Sequence, residues 1–193
     1  MKRTILMMAA TMALAVLLVG GVAYAASVRC DGAGDKNSAI GECRGTIEAD
    51  SITGSGRGEV IDALAGNDTV DARAGNDSVQ GHEGQDTLHG GGGEDNLVGG
   101  QDADTLYGDR NHDYLSGGGG RDDYFGGPGP DTIVADVSLP GDAETVSGGT
   151  GDDSIISVDG IVDDIDCGDG NDTVDVDPID NVATNCESIS IHL

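Results

Sequence analysis

Apolar residues recur at every ninth position through residues 45–134 of this 193-residue chain. An acidic residue stands two positions before each of them, so acid and apolar residue take the sixth and eighth places of a nine-residue unit. A short period that holds through ten successive copies predicts a solenoid, in which each copy packs mainly against its neighbours. The eighth-place residues are Ile52, Ile61, Val70, Val79, Leu88, Leu97, Leu106, Leu115, Tyr124 and Ile133. The sixth-place acids are Asp50, Glu59, Asp68, Asp77, Asp86, Asp95, Asp104, Asp113, Asp122 and Asp131.

The period is interrupted at two places and resumes after each. Residues 135–138 break the phase, and Ser157 is one extra residue between two later copies. The whole array spans residues 45–175 and contains fourteen copies. The later copies, residues 139–147, 148–156, 158–166 and 167–175, carry the acid and apolar pairs Glu144 and Val146, Asp153 and Ile155, Asp163 and Ile165, and Asp172 and Val174.

Each unit divides into a turn and a strand. Places seven to nine read as a three-residue strand whose middle residue faces inward, because side chains alternate along a strand. Ninth-place residues such as Asp71 and Gln80 then face solvent. The fourth place predicts a tight turn, because it is glycine in most of the better copies and Asp102 or Asn111 in two others. Aspartate and asparagine are the non-glycine residues that best tolerate positive φ.

Two units make one coil of turn, strand, turn and strand. Stacked coils are about 4.8 Å apart, as neighbouring strands are. Acids two copies apart therefore stack on one edge, where two like charges repel by about 1 kcal/mol in water and by more near a protein surface. A cation between them would remove this repulsion.

Composition supports a role for cations and excludes several partners. The formal net charge is −27, which argues against nucleic acid and against anionic membrane surfaces, since both need basic partners. An acidic chain with one Phe and no Trp would ordinarily be disordered. The ordered spacing of aliphatic residues predicts a folded solenoid, provided that divalent cations neutralise the carboxylates.

The units resemble a known repeat. Residues 90–98 and 126–134 match the pattern G-G-x-G-x-D-x-U-x in full, where U is a large apolar residue. This is the pattern of the RTX, or hemolysin-type, calcium-binding nonapeptide repeat. The resemblance implies an all-β fold, a parallel β-roll, with Ca²⁺ held in the turns by the sixth-place Asp and by backbone carbonyl oxygens.

The resemblance also implies a set of calcium ligands. The copies that begin at residues 45, 54, 139 and 158 lack the glycine-rich turn, so a metal ion is doubtful there. The implied ligands are Asp68, Asp77, Asp86, Asp95, Asp104, Asp113, Asp122, Asp131, Asp153 and Asp172.

Residues 1–25 predict a signal peptide and hence a secreted protein. Lys2 and Arg3 precede an apolar run of about fifteen residues, which is short for a membrane anchor, and Ala23-Tyr24-Ala25 fits a cleavage site. We therefore expect no membrane insertion once this leader is removed. Members of the family typically carry an uncleaved C-terminal export signal instead, and in this respect the chain departs from the resemblance.

Four cysteines follow the leader and predict a disulfide framework. Sequence proximity pairs Cys30 with Cys43 and Cys167 with Cys186, which brackets the array. A zinc site is disfavoured because there is no CxxC motif. Residues 26–44 and 176–193 are accordingly interpreted as N-terminal and C-terminal caps.

No catalytic motif such as HExxH or GxSxG occurs, so the expected function is non-catalytic calcium binding. An adhesin or surface module that contacts polysaccharide or cells is the alternative, and an enzyme with its site on the face of the roll is a third. His82, His89 and His112 are interpreted as surface residues or, alternatively, as a secondary metal site. The late aromatic residues are interpreted as packing residues or, alternatively, as a partner-binding patch: Tyr107, Tyr114, Tyr124 and Phe125.

Overall fold

Every regular element in the described part of the chain is a β-strand. The structure is a computed structural model, and it describes residues 27–30, 41–135 and 142–192. The predicted signal peptide and most of the phase break at residues 135–138 lie outside these ranges. Within them there is no helix with the length and apolarity that a membrane span requires.

The strands form two parallel sheets, each with nine strands in the described ranges. Odd-numbered strands lie in one sheet and even-numbered strands in the other, so the chain alternates between them. The odd sheet contains β1 Ser27–Arg29, β3 Ser51–Thr53, β5 Thr69–Asp71, β7 Thr87–Gly92, β9 Thr105–Arg110, β11 Asp123–Pro128, β13 Thr145–Thr150, β15 Asp164–Asp169 and β17 Asn181–Val182. The even sheet contains β2 Gly41–Arg44, β4 Glu59–Asp62, β6 Ser78–Glu83, β8 Asn96–Gln101, β10 Tyr114–Gly119, β12 Thr132–Val134, β14 Ser154–Ser157, β16 Thr173–Val176 and β18 Ser188–Ile191.

The pairing register follows the eighteen-residue coil. Leu97 pairs with Val79 on one side and with Leu115 on the other. The eighth-place residues of every second copy therefore stack on one another. The same register continues across the phase break, where Ile133 pairs with Ile155. The predicted all-β parallel β-roll is confirmed.

The core is the double column of eighth-place side chains. Leu88, Leu97, Leu106 and Leu115 have no solvent exposure, and the other eighth-place residues of the fourteen copies are at most 2% exposed. Complete burial of one such side chain stabilises the fold by about 1.5–3 kcal/mol. Stacking therefore supplies a core to a chain with few aromatic residues, as the repeat predicted.

Most of the described strands are longer than the three residues predicted, although β1, β3, β5 and β12 have three. Eight of those described have six residues, and β7 runs from place seven of one copy to place three of the next. The glycine segment remains paired, with Gly91 opposite Asp109 and Gly92 opposite Arg110. The prediction was wrong because identical places stack in adjacent coils, so parallel pairing continues after the apolar residue.

The turn prediction at the fourth place is confirmed in most copies. Asp102 and Asn111 have φ of +71° and +82°, and the fourth-place glycines also have positive φ except Gly170. A second left-handed position, place two, was missed. Leu64, Arg73 and His82 adopt φ of +86°, +79° and +82° there, in a region that non-glycine residues rarely enter.

Disulfides lie near both ends of the described solenoid. Cys30 bonds to Cys43 and Cys167 bonds to Cys186, with Cα atoms 5.4 and 5.3 Å apart, as predicted from spacing. The flanking strands β1, β2, β17 and β18 pair with the array in the same parallel register.

Candidate metal centre

The sixth-place acids form two rows, one along each sheet. Each acid directly precedes a strand, except Glu59, which begins β4. Each acid also lies two residues before the inward apolar residue, so both side chains point to the same side. The structure therefore buries the acids as well as the core, and all ten predicted ligands are at most 3% exposed. The row of the odd sheet contains Asp50, Asp68, Asp86, Asp104, Asp122, Glu144 and Asp163, and the row of the even sheet contains Glu59, Asp77, Asp95, Asp113, Asp131, Asp153 and Asp172.

One carboxylate oxygen of each regular acid is used within its row. The backbone N–H of Asp77 donates to Oδ1 of Asp95, and the N–H of Asp95 donates to Oδ1 of Asp113. These hydrogen bonds measure 2.6–2.8 Å in the uninterrupted part of the array. They continue across the phase break from Asp131 to Asp153 at 2.7 Å. Each row is thus a ladder that joins adjacent coils through carboxylates.

The second oxygen is buried without a partner in most of the predicted ligands. An ionised carboxylate oxygen in this condition is unfavourable unless a cation or a donor compensates it. Calcium prefers carboxylate and carbonyl oxygens, so these atoms fit a calcium ligand. The acids whose Oδ2 has no hydrogen-bond partner among the described residues are Asp68, Asp77, Asp86, Asp95, Asp104, Asp113, Asp131, Asp153 and Asp172.

The first-place glycine leaves space beside this oxygen. An added Cβ at Gly90 would lie 2.6 Å from Oδ2 of Asp95 and 2.9 Å from the carbonyl oxygen of Gly108 in the next coil. Gly81 and Gly99 have the same relation to Asp86 and Asp104. A carboxylate oxygen and a backbone carbonyl oxygen therefore border a space that a side chain would fill.

Burial raises the pKa of most of these carboxyls. The row hydrogen bond lowers each pKa, but it does not offset desolvation, and neighbouring acids raise the pKa further in most of them. The raised pKa is about 6 for Asp77, Asp86 and Asp153, about 7 for Asp113 and Asp131, and about 8 for Asp104.

Three of the four copies without a glycine-rich turn satisfy their acids internally. Oδ2 of Asp50 accepts the Thr46 N–H at 2.6 Å, and Oε2 of Glu59 accepts the Ser55 N–H at 3.0 Å. Oδ2 of Asp163 accepts the hydroxyl of Ser157. Protein donors therefore stand where the regular copies leave an oxygen unpartnered.

Asp122 differs from the other predicted ligands. The hydroxyl of Tyr124, its eighth-place neighbour, lies 3.5 Å from Oδ2 of Asp122 and accepts the Gly117 N–H at 2.9 Å. Burial raises the pKa of the Tyr124 phenol, so the hydroxyl stays protonated and can donate. The only signal in the sequence was an aromatic residue at a place that is otherwise aliphatic.

Three ladder acids were missed as site residues. Glu144 was set aside for its poor turn, yet its Oε2 is buried and unpartnered among the described residues. Burial, followed by the Asp163 carboxyl, raises the pKa of Glu144 to about 9. Asp180 accepts the Asp163 N–H and Glu187 accepts the Asp172 N–H, so both rows extend past residue 175. The acid-x-apolar spacing of Asp180 and Val182, and of Glu187 and Ile189, was the available signal.

The other candidate residues lie on the surface. His82 and His89 lie 3.1 and 3.2 Å from the carboxylates of Asp62 and Asp109, which agrees with the surface interpretation. The rings of His89, Tyr107 and Phe125 stack along the odd sheet, with centroids 4.3 and 4.8 Å apart.

The comparison with protein families identifies the repeat. The family model described as RTX calcium-binding nonapeptide repeat (4 copies) matches residues 53–88, 62–97, 74–106, 98–133 and 141–160, more than half of the chain. Asp172 lies outside these matches. No curated protein matches the chain.

Proposed function

Since the chain belongs to the RTX calcium-binding nonapeptide repeat family, we propose that it is a secreted, non-catalytic β-roll whose folding depends on calcium. The observation that carries this proposal is the double row of nine buried carboxylates with one unpartnered oxygen each. No described lysine or arginine is within salt-bridge distance of these nine acids. Calcium ions are the compensating charge that the family and the oxygen chemistry together favour.

The proposed ligands are the acids that combine a glycine-rich or alanine-bearing turn with an unpartnered Oδ2. Backbone carbonyl oxygens of the turns would complete the six to eight oxygen ligands that this ion takes. Asp122 is not included, because the Tyr124 hydroxyl already contacts its Oδ2. The proposed set is Asp68, Asp77, Asp86, Asp95, Asp104, Asp113, Asp131, Asp153 and Asp172.

Calcium binding and folding are coupled in this arrangement. The ladder forms only when coils stack, so the unfolded chain has no preformed site, and binding energy becomes folding energy. Binding is expected to be cooperative, because each row hydrogen bond joins two coils. The affinity expected for an extracellular module of this kind is about 10⁻⁴–10⁻³ M.

Secretion follows from two considerations. Residues 1–25 have the pattern of a signal peptide, although they lie outside the described residues. The two disulfides in the described part are typical of an oxidising compartment.

The test is a CaCl₂ titration of the disulfide-intact chain, followed by circular dichroism. We expect a largely unfolded chain in chelator and a cooperative gain of β-structure as calcium approaches millimolar concentration. A parallel titration with MgCl₂ is the control, because Mg²⁺ demands stricter geometry and releases its waters reluctantly. Identical spectra in chelator and in millimolar calcium would contradict the proposal.

The alternative function, a module that contacts polysaccharide or cells, draws on the stacked row of His89, Tyr107 and Phe125. Both faces of the Tyr107 ring are covered by its two neighbours. Proteins bind sugar rings through the faces of aromatic side chains, so only the outer faces at the two ends of the row could bind a sugar. Calcium binding therefore remains the better supported function.

A further inference from the structure

A separate group of carboxylates lies beyond the phase break. Glu144 and Asp163 are neighbours in the row of the odd sheet, and Asp159 comes from the irregular segment that follows Ser157. One carboxylate oxygen from each of these three residues lies within 4.8 Å of the other two. The regular turns differ from this group, because each regular turn has only one carboxylate of the row, the one at the sixth place.

The burial of the Glu144 carboxylate indicates that this group binds a ligand. Its side chain is only 7% exposed, and its Oε2 is buried with no hydrogen-bond partner among the described residues. Its backbone N–H donates to Oδ1 of Asp163 at 2.9 Å, which places the two acids side by side. A buried carboxylate beside a second one is unfavourable unless a positive charge compensates both.

No described lysine or arginine forms a salt bridge with Glu144 or Asp163. Neither lysine nor arginine occurs after Arg121 in the sequence. Neutral groups donate to the two other acids: Ser157 donates to Asp163, and the Ile161 N–H donates to Oδ1 of Asp159 at 2.8 Å. Asp159 is half-buried, so the group is reachable from solvent on that side.

We propose that Glu144, Asp159 and Asp163 form an additional calcium site built from side chains, independent of the glycine-rich turns. Three carboxylates at this distance supply hard oxygen ligands and a charge of −3 for one divalent ion. Calcium fits better than magnesium, because it accepts irregular carboxylate arrangements whereas magnesium demands near-octahedral geometry. The site goes beyond the proposed function, since it lies in copies that lack the family's turn.

The first test measures calcium stoichiometry and affinity by equilibrium dialysis and isothermal titration of the full chain with CaCl₂. Asp159→Asn is the informative variant, because Asp159 belongs to neither row. We expect it to lose one bound ion, or to weaken one site at least tenfold, while the cooperative transition of the array persists. Asp142→Asn is the matched control, because it removes the same charge two residues from Glu144 but outside the group.

The second test separates a metal site from a merely structural contact. Glu144→Gln should stabilise the chain in chelator, because it removes a buried carboxyl that needs either a proton or a cation to be tolerated, and should reduce the stabilisation of the chain by saturating calcium. If Glu144 made only a structural contact, the substitution would change the stability of the chain in the same direction in chelator and in calcium.

The outcomes are distinguishable from those of the proposed function. A wild-type chain that binds no calcium would overturn both proposals. Binding by the wild type, with Asp159→Asn equal to Asp142→Asn in stoichiometry and affinity, would overturn the additional site alone.

Discussion

Asp77 donates its backbone N–H to Oδ1 of Asp95 across 2.7 Å, while Oδ2 of Asp95 is buried without a hydrogen-bond partner among the described residues. One carboxylate therefore has two roles: one oxygen joins adjacent coils, and the other is available to an ion. The same division recurs through both rows, so fold and metal binding depend on the same atoms.

Asp95→Asn should weaken the calcium response more than Glu59→Gln does. The asparagine retains an oxygen for the Asp77 N–H but loses the charge, so we expect the calcium midpoint to rise about tenfold, or about 1.4 kcal/mol. Glu59→Gln should change the midpoint much less, because Ser55 already donates to the Glu59 carboxylate. Circular dichroism titrations of both variants provide the measurement, and the reverse ranking would show that the assignment of good and poor sites is wrong.

Tyr124→Phe should add one bound calcium ion. Removal of the hydroxyl leaves Oδ2 of Asp122 unpartnered, as in the regular copies, but also leaves the Gly117 N–H without its acceptor, which costs about 1–3 kcal/mol. Tyr114→Phe, at a more exposed position, is the control. Equilibrium dialysis measures the number of bound ions. An unchanged number would contradict the prediction, because it would mean that the Tyr124 hydroxyl does not control calcium binding at Asp122.

Without calcium, the roll should become less stable as the pH rises. The folded-state pKa values of about 6 to 8 for Asp77, Asp113 and Asp104 lie above the ordinary aspartate pKa, so the folded chain holds protons that the unfolded chain releases. Their stabilising contribution is complete below about pH 4 and is lost between about pH 4 and pH 8. Circular dichroism in chelator across this range is the measurement. Saturating calcium should reverse the trend near neutral pH, because deprotonated carboxylates bind the ion; a pH-independent signal in chelator would contradict the expectation.

Cys186→Ser should destabilise the C-terminal end. The Cys167–Cys186 bond closes a separation of 19 residues, for which chain-entropy arguments give about 3 kcal/mol, so the unfolding midpoint in saturating calcium should fall. Self-association should increase, because the terminal strand β18 has partly exposed Ile189 and Ile191 and would be released more easily. Thermal unfolding and light scattering measure the two effects, with Cys30→Ser as a control at the other end. A soluble variant of unchanged stability would refute the role of this bond in holding the strand.

The sequence alone determined the repeating parts of this protein. Leu97 could be assigned to the core and Asp95 to a stacked row of acids, because a nine-residue period that persists over ten copies admits one register. The disulfide pairs followed from the proximity of their cysteines in the sequence, one pair at each end of the array. In each case the interaction that decides the assignment is local or repeats at a constant sequence separation, so the residue spacing predicts it.

The tertiary structure decided whatever depends on a contact outside the period. Spacing could not reveal that Tyr124 reaches back to Asp122 and Gly117, or that Thr46 satisfies Asp50. Nor could it place Asp159 beside Glu144, because the extra residue Ser157 breaks the period between them. Such contacts depend on where individual side-chain atoms lie in space, and the periodicity of residue types carries no information about those positions.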